Sequence, residues 1–386
     1  MRKFLNILTI GLIMSASATA TAQTAVDGII ENVRKEMAPD KRQTVYDVTA
    51  EKKDGRTVVV KGKISDRKIY DSLLTRLNSQ RAVSVVDSIT LLPDSLWGQV
   101  KIAVACMRSA PKYSSEMSTQ AIMGMPVRLL EEQNGWWLLQ SPDGYLGWVW
   151  RGSIARKTPE ELSEWRKARR LVVTSYDEHK AYTTPTAISP REVVTDLVSG
   201  NIVEGNLDDI RNGRVEITLP DGRKGWADAK AFSTIEDWAA QDFNPEKILD
   251  QAYSMEGKSY LWGGTSAKAT DCSGLVKVAY LSNGIILRRD ASQQALIGEH
   301  LRPEDWRDYQ AGDLMFFGEK PGGRVTHVAI YDHDGKFVHC AGRVYRSSID
   351  PESPDYVNRI FFGGSRIGGY EGTEGITYAR NHPWDF

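Results

Sequence analysis

The sequence of 386 residues is poor in cysteine and has almost no net charge. It has three cysteines, too few for a disulfide-stapled scaffold, and their odd number leaves at least one thiol unpaired. The net charge of −1 gives no argument for a nucleic acid partner or for an anionic membrane. No later segment approaches ~18 consecutive apolar residues, so we expect no permanent membrane anchor.

The first residues have the three-part layout of a signal peptide. Arg2 and Lys3 precede an apolar run from Phe4 to Met14, and small residues follow as far as Ala22. The run is too short for a stable span, and no cysteine stands after Ala22 to carry a lipid. The pattern predicts a cleavable signal peptide over residues 1–22 and a periplasmic or secreted protein; a short buried helix is the alternative.

The next segment, residues 23–96, predicts a small α/β unit. Thr57–Ile64 and Val83–Pro93 alternate like strands, and Asp66–Gln80 between them has the spacing of a helix. We find no chemistry-bearing residues in this unit.

An internal repeat follows, because P-D-G-x-x-G-W occurs twice, with Trp148 and Trp226 in the same place. Pro-Asp-Gly is turn chemistry, and a strand on each side predicts two small hairpin-built barrels. The predicted domains are a first barrel over residues 97–157, a helical linker with a capping box over 158–170, and a second barrel over 171–238.

The segment ATDCSGLVKVAY places Cys272 at the predicted start of a helix, with Asp271 as its N-cap. Apolar residues follow at helical spacing and would face a core: Leu275, Val276 and Ala279. Unpaired backbone N–H groups and the positive helix end lower the pKa of a thiol there. The position favours a thiolate nucleophile, whereas Cys106 and Cys340 have apolar neighbours and are predicted to be buried and inert.

A predicted β-hairpin, Arg324–Gly342, carries His327 and His339 on its two strands, with His333 solvated in the turn. His327 and His339 are separated by an even number of positions across a loop of odd length, which puts both imidazoles on one face of the sheet. One can accept the thiol proton, and the other can orient the first. Two alternatives remain from the pattern alone. The first is a histidine whose hydrogen bonds are satisfied within the sheet, beside a buried thiol. The second is a Cys-His-His zinc site, although the spacing is not a compact zinc pattern.

Three motifs in residues 243–386 together resemble the NlpC-type family of cell-wall cysteine peptidases: YLWGGTSAKATDCSGLV, GDLMFF and THVAIYDHDGKFVHCAG. The resemblance implies Cys272 as nucleophile, His327 as base, His339 as the orienting residue and Tyr260 beside the oxyanion. No metal or organic cofactor is implied. The implied fold class is α+β: a papain-like NlpC-type catalytic domain preceded by two small SH3-like β-barrels and a small N-terminal α/β unit.

This architecture is similar to the dipeptidyl-peptidase VI group of γ-D-glutamyl-L-diamino-acid peptidases, which trim released peptidoglycan peptides with a free N-terminal L-Ala. The resemblance implies peptidoglycan-derived peptides as partners and the first barrel as a wall of the active site. The implied substrate-binding residues are Asp271, Ser273, Asp290, Glu116, Trp150 and Trp262. Ala291 stands where the group often has serine, so one hydrogen bond is not expected.

Other interpretations of these residues and of the function stay open. Asp271 also fits a simple helix cap, Glu116 a solvated loop acid and Trp150 a surface aromatic. The rival functions are an endopeptidase acting on intact peptidoglycan stems, a non-catalytic wall-binding protein and an acyltransferase that uses the same thioester.

Overall fold

The structure, a computed structural model, describes residues 23–54, 57–80 and 83–384. The predicted signal peptide over residues 1–22 lies outside the described residues. Within the described part of the chain, no helix has the length and apolar character needed to cross a bilayer. The chain forms two compact units, which divide after Ser95.

The first unit, Met1–Ser95, has a three-stranded sheet and two helices. Its elements are α1 (residues 23–37), β1 (Tyr46–Lys52), β2 (Thr57–Ile64), α2 (Arg67–Asn78) and β3 (Ser84–Leu91). The Asp66 carboxylate caps α2 by accepting the Ile69 N–H, and Leu73 and Leu77 are fully buried under it. Because β2 and β3 are parallel, α2 is the crossover between them, which confirms the predicted strand-helix-strand order.

The second unit, Leu96–Phe386, begins with a seven-stranded antiparallel sheet around an apolar interior. Its strands are β4 (Trp97–Val100), β5 (Val104–Arg108), β6 (Met117–Ile122), β7 (Pro126–Gln133), β8 (Trp136–Gln140), β9 (Leu146–Trp150) and β10 (Ile154–Lys157), with a 3₁₀ turn at Arg151–Ser153. The order is β10-β4-β7-β8-β9-β5-β6. The end strands do not pair with each other, so this first barrel is open along one side. Cys106, predicted to be buried, is only partly buried on β5.

A helix with the predicted capping box, α3 (Pro159–Lys167), leads to a second sheet. The strands are β11 (Arg170–Val173), β12 (His179–Tyr182), β13 (Val193–Leu197), β14 (Ile202–Arg211), β15 (Arg214–Thr218), β16 (Lys224–Asp228) and β17 (Phe232–Thr234), with 3₁₀ turns at Pro190–Glu192 and Ala229–Ala231. The order β17-β11-β14-β15-β16-β12-β13 repeats that of the first sheet strand for strand. Gly144 and Gly222 have φ of 83° and 85° in the two Pro-Asp-Gly turns, which confirms the repeat.

The last part of the chain is an α+β domain. After α4 (Ile235–Ala239), its elements are α5 (Pro245–Tyr253), β18 (Thr265–Ser266), β19 (Ala269–Thr270), α6 (Cys272–Ser282), β20 (Ile285–Leu287), α7 (Ala291–Gln294), β21 (Glu299–Leu301), β22 (Leu314–Gly318), β23 (His327–Tyr331), β24 (Lys336–Ala341), β25 (Arg343–Ser348), β26 (Ile360–Arg366) and β27 (Ile376–Tyr378), with 3₁₀ helices at Pro303–Asp308 and Ala379–Asn381. The main sheet has the order β21-β26-β22-β23-β24-β25. α6 packs on its centre, where Leu275 and Val276 are buried with Val328 and Val338.

Candidate active site

Cys272 is the first residue of α6 and is 8% exposed. Asp271 caps the helix: its Oδ1 accepts the Gly274 N–H at 2.8 Å. Gly274 has no room for a side chain, because a Cβ there would lie 1.9 Å from the carbonyl oxygen of Gly264. The small residues after Cys272 therefore let the first turn of α6 pack closely on the preceding loop.

The electrostatic surroundings of the Cys272 thiol oppose its ionisation. Burial, and then the negative charge of Asp271, raise its pKa to about 11. Hydrogen bonds from the backbone N–H groups of Val328 and Ser273 and the charge of Arg289 act in the opposite direction. Cys272 belongs to the same buried cluster as Val328, the residue after His327 on β23.

His327 and His339 share one face of the β23–β24 pair and are hydrogen-bonded, with His327 Nε2 2.8 Å from His339 Nδ1. His339 Nε2 lies 3.0 Å from Ser347 Oγ on β25. The ring nitrogen of His327 that remains for the Cys272 thiol is Nδ1. If Nδ1 is to accept a proton, Nε2–H must donate to His339, and His339 must donate to Ser347. Ser347 was not predicted, since a serine in a polar strand carries no distinguishing sequence signal.

Both histidines are kept neutral at physiological pH. Burial lowers the pKa of His327 to about 3, helped by the nearby His339 and Arg359. Burial and then Arg359 lower the pKa of His339 to about 3. The resting pair at neutral pH is therefore a thiol and a neutral imidazole, and the proton must move as the sulfur attacks.

Tyr260 lies beside the nucleophile. Its backbone N–H donates to the Gly342 carbonyl at 2.9 Å, which fixes the segment against the end of β24. Burial, then the negative charges of a Cys272 thiolate and of Asp271, raise the pKa of the phenol. The hydroxyl thus stays protonated and can donate a hydrogen bond to an oxyanion, together with the Cys272 N–H.

A buried arginine that the sequence did not single out organises the surroundings of Asp271. Arg289 is 1% exposed and donates to both carboxylate oxygens of Asp271, at 3.1 and 2.6 Å. Arg289 Nη1 also donates to Ser273 Oγ at 2.8 Å. Its neighbour Asp290 was identified in LRRDASQQ, but an arginine before an acid gives no sign of being buried.

Arg289 also reaches the first barrel. Its Nε donates to Thr119 Oγ1 of β6 at 2.8 Å, and Thr119 Oγ1 lies 3.1 Å from Thr265 Oγ1. The Thr265 N–H donates to Gln120 Oε1 of the barrel at 2.8 Å. β6 therefore packs directly on the loop that precedes the nucleophile.

The Pro-Asp-Gly turn of the first barrel docks on the catalytic helix. Asp143 forms a buried ion pair with Lys277 of α6. Arg288 Nη1 donates to the Asp143 carbonyl at 3.3 Å, and His382 Nε2 lies 2.9 Å from the Pro142 carbonyl. The equivalent Asp221 of the second barrel pairs only locally, with Arg223. The two copies of the repeat thus share a turn but use its acid differently.

Two side chains of the first barrel meet predicted substrate-binding residues. Tyr145 donates its hydroxyl to Asp290 Oδ2 at 3.2 Å, and the Asp290 side chain is 28% exposed. Glu116 accepts the indole N–H of Trp262 at 2.7 Å, and Trp262 is 61% exposed. The first barrel therefore contacts two residues of the last domain that are predicted to bind substrate.

Comparison with known proteins identifies this arrangement. Residues 257–365 match the NlpC/P60 family, and residues 107–154 match the bacterial dipeptidyl-peptidase Sh3 domain. A probable endopeptidase of Haemophilus influenzae is 35% identical over 124 residues, which are 31% of this chain and 73% of that protein. The chain belongs to the NlpC/P60 family.

Other NlpC/P60 proteins resemble a larger part of the chain. A gamma-D-glutamyl-L-lysine dipeptidyl-peptidase of Bacillus cereus is 24% identical over 311 residues, which are 74% of this chain and 85% of that protein. The crystal structure of an NlpC/P60 family protein from Bacillus cereus has a TM-score of 0.60 at 20% identity and covers 70% of this chain and 99% of its own. That structure supports the α+β fold with SH3-like domains.

Three residues predicted to bind substrate in this NlpC/P60 peptidase have the following surroundings within the protein. Asp271, predicted to bind substrate, accepts hydrogen bonds from the Arg289 guanidinium and from the backbone N–H groups of Gly263 and Gly274. Ser273 is 4% exposed, and its hydroxyl is held between Arg289 and Asp271. Trp150 is 47% exposed on β9.

The ring of Trp150 packs over a glycine of its own barrel, so that a Cβ on Gly152 would come within 2.1 Å of it. Tyr145 of the same barrel contacts Asp290 of the last domain through its hydroxyl. Tyr145 follows the turn directly in the motif SPDGYLGW, so the sequence offered it as a second aromatic candidate beside Trp150.

The arrangement can carry out acyl transfer through a thioester. Cys272 Sγ can attack a carbonyl carbon while its proton passes to His327 Nδ1, and the tetrahedral oxyanion can accept from Tyr260. His327 can then give the proton to the leaving amine, and water can hydrolyse the thioester. Within the described residues, no group of three or more His, Cys, Asp or Glu side chains is arranged to hold a metal ion.

Proposed function

We propose that this protein is a cysteine peptidase that hydrolyses the γ-D-glutamyl-L-diamino acid bond of short peptidoglycan peptides with a free N-terminal L-Ala. The observation that carries the proposal is the Tyr145–Asp290 hydrogen bond, which joins the first barrel to the catalytic domain beside the nucleophile helix. The Bacillus cereus relative named for cleavage of a γ-D-glutamyl-L-lysine bond supports the choice of bond.

The charges near the cleft support recognition of an ammonium group. The Asp271 charge is compensated by the bidentate contact with Arg289, whereas Asp290 Oδ1 lies 3.9 Å from the guanidinium and remains partly exposed. Glu116, from the barrel, is exposed next to Trp262. An ammonium between Asp290 and Glu116 would place a short peptide with its γ-glutamyl carbonyl at Cys272. A blocked N-terminus, as in intact peptidoglycan stems, would bring no ammonium charge to these two carboxylates.

We further propose that the protein acts outside the cytoplasm, in the turnover or recycling of released wall peptides. The predicted signal peptide supports this location.

Purified protein should be incubated with L-Ala-γ-D-Glu-diaminopimelate, with its N-acetylated form and with intact sacculi, using Cys272→Ala as control. Release of L-Ala-D-Glu from the free peptide alone, followed by mass spectrometry, is the expected result. Cleavage of the acetylated peptide or of sacculi would instead indicate a wall endopeptidase. Absence of turnover that depends on Cys272 would indicate a binding protein, and transfer to an added amine would indicate an acyltransferase.

A further inference from the structure

Among residues 23–54, 57–80 and 83–384, the side chain of one arginine at the sheet edge has no hydrogen-bond partner. This residue, Arg359, is exposed and precedes β26, and its backbone N–H donates to the Val357 carbonyl. No ion pair involves Arg359 within the described residues. Glu319, the residue after β22, is also exposed, and no ion pair joins it to Arg359 in the part of the chain that the structure describes. The guanidinium is therefore available to an anion from outside the chain.

The register of the sheet places Arg359 at the same edge as the catalytic histidine. His327 opens β23 and pairs with Phe317, near the end of β22. Ile360 opens β26 and pairs with Gly318, the last residue of β22. Two inter-strand spacings, together about 10 Å, therefore separate the strand that follows Arg359 from the strand of His327.

A row of rings connects the two positions. The Phe317 ring centroid lies 6.0 Å from His327 and 5.3 Å from Phe361. Arg359 stands two residues before Phe361, and alternation along an extended chain puts both on one face. The charge of Arg359 also contributes to lowering the pKa of both His327 and His339, which agrees with this proximity.

Residues 259–260 contact the chain between β24 and β25, on the side of His327 away from β22. The Tyr260 N–H donates to the Gly342 carbonyl, and Ser259 bridges to Arg343 at the start of β25. Trp262, two residues after Tyr260, contacts Glu116 of the first barrel. Since the first barrel and the proposed ammonium site lie on that side, we expect the residue that leaves from His327 to extend along the ends of β22 and β26.

We propose that Arg359 forms a carboxylate subsite that binds the α-carboxylate of the departing diamino acid. This rests on the proposed function, in which His327 protonates the amine of that residue. Only the Cα separates the leaving nitrogen from its α-carboxylate, so the carboxylate stays close to the sheet edge. The cleft then recognises both ends of a short peptide: the ammonium by Asp290 and Glu116, and the carboxylate by Arg359.

The test compares L-Ala-γ-D-Glu-L-Lys with the same peptide carrying a C-terminal carboxamide. In the wild type, the amide should have a KM about five- to tenfold higher, the range for a charge-assisted contact at a partly exposed position. Arg359→Gln should raise the KM of the acid to that of the amide and leave the amide unchanged. Arg359→Lys should restore part of the difference, because it keeps the charge without the planar fork.

Arg307→Gln is the matched control. Arg307 is also exposed in this domain, but it stacks on Trp306, which lies beside Gly335 at the opposite end of the β23–β24 hairpin. Loss of the same charge there should leave the ratio of the two KM values at the wild-type value. This control separates a local contact from a general effect of net charge.

The proposal is overturned if the wild type cleaves acid and amide with equal KM, or if Arg359→Gln lowers kcat for both substrates equally. The second outcome would assign Arg359 to the electrostatics of the histidines instead. If the wild type cleaves neither peptide, the proposed function fails and the subsite fails with it; cleavage of both without discrimination removes the subsite alone.

Discussion

The guanidinium of Arg289 holds the carboxylate of Asp271, the residue before Cys272, through two hydrogen bonds of 3.1 and 2.6 Å. Both side chains are buried, at 1% and 8% exposure. An acid next to a nucleophilic thiol opposes its ionisation, and a cation bound to that acid offsets the effect. Arg289 is therefore a positioning residue that also sets the charge at the nucleophile.

Removal of Arg289 should make the Cys272 thiol harder to ionise. Arg289→Gln leaves Asp271 uncompensated, so the basic limb of the kcat/KM pH profile, which reports ionisation of the thiol in the resting thiol–imidazole pair, should move to higher pH by about one unit. The double variant Asp271→Asn/Arg289→Gln removes both charges and should move the limb back. Arg289→Gln should also lower the free energy of unfolding more than the double variant does, since a single charge left buried without its partner costs about 3–5 kcal/mol.

The control is Thr119→Val, which removes the barrel contact of Arg289 and keeps the ion pair, so the pH profile should stay as in the wild type. Equal profiles for the Arg289→Gln single variant and the double variant would contradict charge compensation. Arg289→Lys extends the comparison if the glutamine variant is poorly folded.

His339 should act through His327 and not on the substrate. His339→Ala should lower kcat by about 10²–10⁴, as expected for the orienting member of a triad, with little change in KM. Ser347→Ala removes only the outer hydrogen bond to His339 and should cost about tenfold or less. A large rise in KM for His339→Ala would instead indicate a substrate contact.

The buried pair of Asp143 and Lys277 should fix the first barrel on α6. Breaking it with Asp143→Asn or Lys277→Met should destabilise the protein by about 3–5 kcal/mol, whereas the double variant Asp143→Leu/Lys277→Met should lose much less. Thermal unfolding of the four proteins measures the coupling. Equal losses in the single and double variants would contradict a buried pair.

The same pair predicts a pH dependence of stability. Burial alone would raise the pKa of Asp143, but the charge of Lys277 and their hydrogen bond hold it below its usual value. A lowered native pKa gives stability that is complete above the unfolded value of ~3.9 and is lost as the pH falls through the native pKa. The melting temperature of the wild type should therefore fall more steeply below pH ~4 than that of Asp143→Leu/Lys277→Met.

Tyr145, and not Trp150, should be the barrel aromatic that affects substrate binding. Tyr145→Phe removes the hydrogen bond to Asp290 and should raise KM several-fold for the free-amine peptide. Trp150→Phe changes a half-exposed ring that packs over Gly152 and serves as the control. A rise in KM for Trp150→Phe and not for Tyr145→Phe would support Trp150 as the aromatic substrate contact, as the sequence predicts.

Local patterns were enough to predict the elements that carry the nucleophile and the histidines. The N-cap at Asp271, the helix start at Cys272 and the turn before β24 depend on neighbours in sequence, which is why they could be identified. The partners of Asp271 could not, because Arg289 reaches it only after the chain has turned past α6 and β20. An arginine buried by tertiary contacts looks the same in sequence as a surface one.

The sequence analysis named Trp150 and did not consider Tyr145, for a related reason. Both lie on the turn and strand of one hairpin, and only the docking of the Asp143 turn on Lys277 decides which aromatic faces the catalytic domain. Composition and periodicity predict the strands of each barrel, but they do not indicate which side of the barrel contacts the last domain.

The most direct test of the account compares kcat/KM for L-Ala-γ-D-Glu-L-Lys and for its N-acetylated form, in the wild type and in Asp290→Asn. We predict that the wild type strongly prefers the free amine. Asp290→Asn should lower kcat/KM for the free peptide and change kcat/KM for the acetylated peptide little, so that most of the preference is lost. Cleavage of both peptides at equal rates by the wild type, or an undiminished preference in Asp290→Asn, would contradict it.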